Sequence, residues 1–115
     1  KELLSKNPDM NVLVTFNEWT SLGVGYAIEE MNLADKVHVV VFDSNIVSVG
    51  MLETGEVDSL IVQNPYAMGY LGVECAYNAI NQIPIEEKEI NTETLLVTRE
   101  NMFRDECQKA LFLFE

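Results

Sequence analysis

Four short apolar runs, rich in β-branched residues, punctuate the chain: Val12–Phe16, Val37–Phe42, Ser59–Val62 and Thr94–Thr98. Between them, apolar residues recur at steps of three and four, the spacing of one face of a helix. From Trp19 the pattern turns helical, with Trp19, Leu22, Gly23, Tyr26, Ala27 and Met31 on one face and Glu29 and Glu30 on the other. A second helix carries Ile46, Val49, Gly50 and Leu52; Ser44-Asn45 precede it as cap candidates and Gly55 follows as its left-handed stop. After Gln63-Asn64-Pro65, a third stripe runs through Tyr66, Gly69, Tyr70, Val73, Ala76, Tyr77 and Ile80. Glu2–Lys6 reads as the tail of a helix closed by the turn Asn7-Pro8-Asp9, and Arg99–Phe114 as a last helix containing Met102, Phe103, Leu111 and Phe114. Strands alternating with helices through short connections predict βαβ units: an α/β fold, a mainly parallel sheet with helices on both faces.

Composition narrows what such a fold does. The 115 residues suffice for one core, and no apolar run approaches the length of a membrane span. Seven Lys and Arg against nineteen Asp and Glu give a net charge of −12. That balance excludes nucleic acid and anionic membranes as partners, because both are held chiefly by basic side chains. Much of the acid lies in Glu86–Glu93, which reads as a solvated connection and the one linker candidate. Lys1 opens directly onto Glu2-Leu3-Leu4 as if inside a helix, so the chain reads as part of something longer.

Signals for catalysis and cofactors are missing. His38, the single histidine, lies in a strand run and reads as structural. Cys75 and Cys107 lack C-x-x-C spacing, and Cys75 falls among apolar helical positions as a buried free thiol. Gly23-Val24-Gly25 sits within a helical stripe and lacks a third small residue at Ile28, so it is no dinucleotide fingerprint. No catalytic residue, metal ligand set or cofactor is assigned.

What remains is the polar residue at the end of three successive strands: Asn17 after Phe16, Asp43 after Phe42 and Gln63 after Val62. Ligands of open parallel sheets bind beyond the carboxyl ends of the strands. A carboxylate accepts hydrogen bonds while Asn and Gln both donate and accept, a mixture that suits a polyhydroxylated ligand. Phe16, Trp19 and Phe42 stand close by in sequence as possible aromatic contacts to a sugar's C–H face, although Trp19, lying in its helical stripe, reads first as core packing. The competing reading of the polar residues is local: Asp43 at this position could simply cap the helix that starts at Ile46.

Asn-Glu-Trp-Thr-Ser-Leu-Gly at 17–23, Val-Val-Val-Phe-Asp at 39–43, Ile-Val-Gln-Asn-Pro-Tyr-Ala-Met-Gly-Tyr-Leu-Gly-Val at 61–73 and Leu-Leu-Val-Thr-Arg-Glu-Asn at 95–101 together resemble the later part of periplasmic sugar-binding proteins of the ribose-binding type. The resemblance implies a three-layer αβα type I lobe, present incompletely. About 1–63 would belong to the C-terminal lobe, about 64–98 would cross into the other lobe, and 99–115 would form the C-terminal helix. It implies Asn17, Asp43 and Gln63 as contacts to a monosaccharide or related polyol, an ABC transporter permease as partner of the full-length protein, and an extracytoplasmic location. A lac-repressor-type regulator core, which would be cytoplasmic, shares the fold and is the nearest alternative; a response-regulator receiver with Asp43 as phosphoacceptor is a distant one. Exposed edges and apolar faces of so partial a lobe predict a homodimer.

Overall fold

The computed structural model describes residues 1–112. Its elements alternate as expected: α1 (Glu2–Lys6), β1 (Val12–Val14), α2 (Glu18–Met31), β2 (His38–Phe42), α3 (Ile46–Thr54), β3 (Ser59–Val62), α4 (Pro65–Ile80), β4 (Leu95–Thr98) and α5 (Asp105–Phe112). They fall into two compact units: Lys1–Val62 with the chain from Leu95 onward, and Gln63–Thr94.

The first unit is built on one four-stranded sheet of order β1-β2-β3-β4. β1 to β3 are parallel, while β4 runs antiparallel to β3 with Leu95 opposite Val62 and Thr98 opposite Ser59. This differs from the sequence reading, which groups the strand after α4 with that helix. An apolar run such as Leu95-Leu96-Val97 carries no sign of its direction. The long connection before it lets the chain re-enter the sheet at the end where it left, which forces the antiparallel sense. The last helix is also shorter than expected, because 100–104 form turns before α5 begins at Asp105. Phe114, counted in that helix from the sequence, lies outside the described residues.

Period-two alternation divides the sheet's two faces. Val39, Val41, Leu60, Val62 and Val97 point into the core and are buried. Their neighbours Val40, Phe42 and Ile61 are only half-buried, and Val12 and Val14 on the edge strand are exposed. The crossovers β1–α2–β2 and β2–α3–β3 step in the same direction, so right-handed connections place α2 and α3 on the same face. They close tightly on each other: a Cβ built on Gly25 of α2 would overlap the Met51 sulfur of α3.

That contact corrects the helical stripe read from the sequence. The buried line of α2 is Ser21, Gly25 and Ile28, at i, i+4 and i+7, with Ala27 beside it. Trp19 is 83% exposed and Tyr26 faces solvent too, so the core-packing reading of Trp19 does not hold. Small residues line the buried side because two helices must approach there; the large aromatics are left outside.

α3 ends at Gly55, whose φ of +107° is a left-handed conformation open to glycine at little cost. Arg99, following β4, reaches over this helix end and donates from Nε to the Leu52 carbonyl at 3.2 Å. Its guanidinium fills the space a side chain at position 55 would need, Nη2 being 2.5 Å from an ideal Cβ there.

The second unit is different in kind. α4 is capped by the Asn64 side chain, which accepts from Ala67 N at 2.9 Å, with Pro65 in the first turn. None of its sixteen residues is buried. Leu71 and Cys75 are half-buried on the side that forms a shallow groove with Ile85 and Ile90.

Candidate functional site at the strand ends

The carboxyl ends of β1 and β2 and the first turns of α2 and α3 meet at one place. Asn17 is the N-cap of α2: its Oδ1 accepts from Thr20 N and Thr20 Oγ1, both at 3.0 Å. This leaves the Asn17 amide nitrogen, which can only donate, without a hydrogen bond to any described residue. Asn45, not Asp43, caps α3, accepting from Val47 N and Ser48 N at 2.9 Å, while Ser48 Oγ accepts from Asn45 N at 3.0 Å. The two first turns are tied directly, Asn45 Nδ2 donating to Glu18 Oε1 at 2.8 Å.

Below these caps lies a buried polar joint. Ser21 Oγ is 2.7 Å from the Asn17 carbonyl, 2.9 Å from the Phe42 carbonyl and 2.7 Å from Thr15 Oγ1. Ser21 and Thr15 are both buried, so these contacts replace water that neither hydroxyl can reach. The joint fixes the end of β2 against the start of α2, and with it the spacing between Asn17 and Asp43. Sequence reasoning missed Thr15, Ser21 and the Glu18–Asn45 contact. No local pattern announces partners up to 27 residues apart.

Asp43 leaves β2 in a left-handed turn, φ +67°, with its N–H donating to the Ile61 carbonyl of β3 at 3.1 Å. Asp and Asn tolerate this region better than other residues with a Cβ. Asn45, rather than Asp43, thus caps the helix that follows. The half-buried Asp43 precedes the α3 N-cap by two residues.

The aromatic candidates divide. Phe16 and Phe42 form a pair, ring centroids 5.7 Å apart and planes tilted by 40°, with Phe16 largely exposed. Trp19 and Ile46 stand exposed on the linked first turns of α2 and α3. Gln63 follows directly on β3 as the half-buried first residue of the second unit, where the chain leaves the sheet. Thus Asn17 and Asp43 are brought to adjacent strand ends within one unit, and Gln63 opens the other. His38 is far from this chemistry in sequence register, at the opposite end of β2, 3.5 Å from Asp58 Oδ1.

Chemically, this is a set of hydrogen-bonding groups beside apolar rings. Beside it, Glu18 Oε1 is engaged by the Asn45 side-chain amide. Among the described residues no cluster of His, Cys, Asp and Glu has the geometry of a metal site.

Residues 1–83 match the model of the periplasmic binding protein domain family. Among solved structures, the chain is similar to a carbohydrate transporter solute-binding protein from Agrobacterium radiobacter in complex with D-arabinose, at 34% identity and a TM-score of 0.84, covering 96% of this chain and 37% of that one. A solute-binding protein of an ABC transporter from Agrobacterium vitis, with bound D-fucose, matches at 29% identity and a TM-score of 0.82, over 96% of this chain and 38% of that one. A sugar transporter from Clostridium phytofermentans matches at 34% identity and a TM-score of 0.66, over 84% of this chain and 34% of that one. The chain therefore spans a little over a third of the length of these relatives. A search of curated proteins finds no match.

Proposed function

We propose that this chain, which belongs to the periplasmic binding protein family, supplies part of the sugar site of a solute-binding protein that serves an ABC transporter. The family is one of binding proteins rather than enzymes. The observation that carries the reading is Asp43: a left-handed, half-buried acid at the mouth of β2 whose capping role belongs to Asn45. In this reading Asp43 accepts from sugar hydroxyls, Asn17 donates its amide hydrogens, and Gln63 adds a contact as the chain leaves the sheet. Phe16 and Phe42, with Trp19 at the rim, cover a C–H face of the ring. The ligand class is a monosaccharide or a similar polyol, in keeping with the arabinose and fucose bound by the relatives.

Family membership goes with an extracytoplasmic location and, for the transport step, with a permease as partner. The sheet unit is then part of one lobe, and Gln63–Thr94 part of the second. The exposed valines of β1 and the exposed face of α4 support self-association of the chain by itself.

Titrating pentoses, hexoses and inositols against the full-length protein that carries this chain, followed by calorimetry, tests the site. Asp43→Ala removes a charged hydrogen-bond partner worth about 1.5–3 kcal/mol, so affinity falls roughly tenfold to over a hundredfold. Unchanged affinity in that variant would overturn the role of Asp43. Failure of every polyol to bind the wild type would overturn the sugar reading itself.

A further inference from the structure

The backbone ladder between β1 and β2 stops one rung short of the mouth. His38 N donates to the Asn11 carbonyl at 2.8 Å, and Thr15 N to the Val40 carbonyl at 3.0 Å. Bonds of a parallel ladder recur at every second residue, so the next rung would run from Asn17 N to the Phe42 carbonyl. Among the described residues Asn17 N makes no such bond, because the chain has already left the strand to begin α2 with Asn17 as its cap. The Ser21 hydroxyl takes the place of that rung, 2.9 Å from the Phe42 carbonyl.

The substitute is fully committed. A serine hydroxyl has one hydrogen to give and two lone pairs to receive with. The Asn17 carbonyl, 2.7 Å from Ser21 Oγ, already accepts from Ser21 N at 3.0 Å and from Thr20 Oγ1 at 3.1 Å. The Phe42 carbonyl is therefore the acceptor that needs the Ser21 hydrogen, while Thr15 Oγ1, 2.7 Å away, donates its own to Ser21 Oγ. Both side chains are buried, so water does not compete for these bonds. Resting on the sugar site proposed above, we infer that Ser21 is a positioning residue of that site: its hydroxyl supplies the missing rung and so releases Asn17 from the ladder. Asn17 is then able to cap α2 through Oδ1 and to donate to a sugar from Nδ2, while the end of β2, with Asp43 directly after Phe42, stays in place. Without the hydroxyl, the Phe42 carbonyl is satisfied either by water entering the joint or by Asn17 N drawn back onto it. Both displace Asn17 relative to Asp43.

A double-mutant cycle between Ser21→Ala and Asn17→Ser tests this in the full-length protein that carries the chain. Affinity is read by calorimetry with the tightest binder among the pentoses, hexoses and inositols. Serine caps a helix about as well as asparagine, so Asn17→Ser removes the amide donor and keeps the helix start. Val57→Ala, buried just before β3 at the end opposite the mouth, controls for lost stability, and circular dichroism checks that each variant is folded. Should Ser21→Ala not fold, Ser21→Cys, similar in shape but a weak donor, replaces it in the cycle. Asn17→Ser and Ser21→Ala are each expected to weaken binding about three- to tenfold, the worth of one neutral hydrogen bond. The double variant loses no more than the larger single loss, because a displaced Asn17 has no contact left to remove, and Val57→Ala binds as wild type. Single losses that multiply in the double variant, a Ser21→Ala protein that binds as wild type, or an equal loss in Val57→Ala overturns the positioning role and leaves the sugar site standing. A wild type that binds no polyol overturns the sugar site and the role with it.

Discussion

The two units spend similar apolar side chains in opposite ways. In the sheet unit, Val39, Val41, Leu52 and Leu60 are wholly buried, while aromatics such as Phe16, Trp19, Tyr26 and Phe103 stay outside. In Gln63–Thr94, the helix is rich in apolar side chains, yet buries no residue. Burial requires a second layer, and thirty-odd residues holding one helix and a loop do not make one. Apolar periodicity therefore announces a helix with an apolar face, and says nothing of whether its partner lies within the same chain.

Substitution within each unit should expose the difference most strongly at its centre. Leu60→Ala removes a fully buried side chain from the sheet core and is expected to cost about 2–5 kcal/mol in urea unfolding. Ile80→Ala in α4, at a position 81% exposed, should stay within roughly 0.5 kcal/mol at concentrations where the chain is monomeric. A comparable loss from both would mean that α4 is covered in solution.

Backbone effects come next. Gly55→Ala places a Cβ at φ +107° and against Arg99, and should destabilise by about 1–2 kcal/mol or more. Gly72→Ala in α4, where nothing lies within 4 Å, should be neutral or should raise helicity by up to ~1 kcal/mol. The caps make a finer comparison. Asn45→Ala removes the α3 capping box and should lower the global unfolding free energy by about 0.5–2 kcal/mol. Asn64→Ala removes the equivalent cap from α4 and should reduce helix content by circular dichroism without moving the main transition.

The smallest effect is chemical. Both cysteines are free, but Cys107 is fully buried in the core and Cys75 is half-buried in α4. This reverses the sequence expectation that placed the buried thiol at Cys75. Burial raises the Cys107 thiol above its ordinary range, with Glu106 adding to the rise and Arg104 opposing it. The folded state therefore holds that proton at pH values where the unfolded chain loses it. Its contribution to stability is present below the ordinary thiol pKa and declines as pH climbs past it toward the raised value. A maleimide pulse at neutral pH should modify Cys75 well before Cys107.

Much of the sheet unit was legible from the chain. The β2 run, the Asn45 cap and the Gly55 stop are local signals, and local chemistry produces each of them. The side of α2 that is buried was not legible, because Trp19 and Tyr26 look apolar while Ser21 and Gly25 do not. What decides the matter is the closeness of α3, a tertiary fact. The direction of β4 escaped for the same reason. At the candidate site the polar strand ends were visible as positions, whereas the joint of Thr15, Ser21 and the Phe42 carbonyl that spaces them was not. A hydroxyl and a backbone carbonyl that meet across twenty-one residues leave no periodic trace.

The left-handed turn at Asp43 also restricts how this mouth can change over time. Of the residues that sit comfortably at φ +67°, Gly, Asn and Asp are the main choices. A codon for Asp reaches Asn or Gly by one base change. Asn keeps the shape and trades an acceptor for a donor; Gly keeps the turn and opens a space. Drift at this position thus has two easy exits, one re-polarising the pocket and one enlarging it, while larger side chains must first rebuild the backbone.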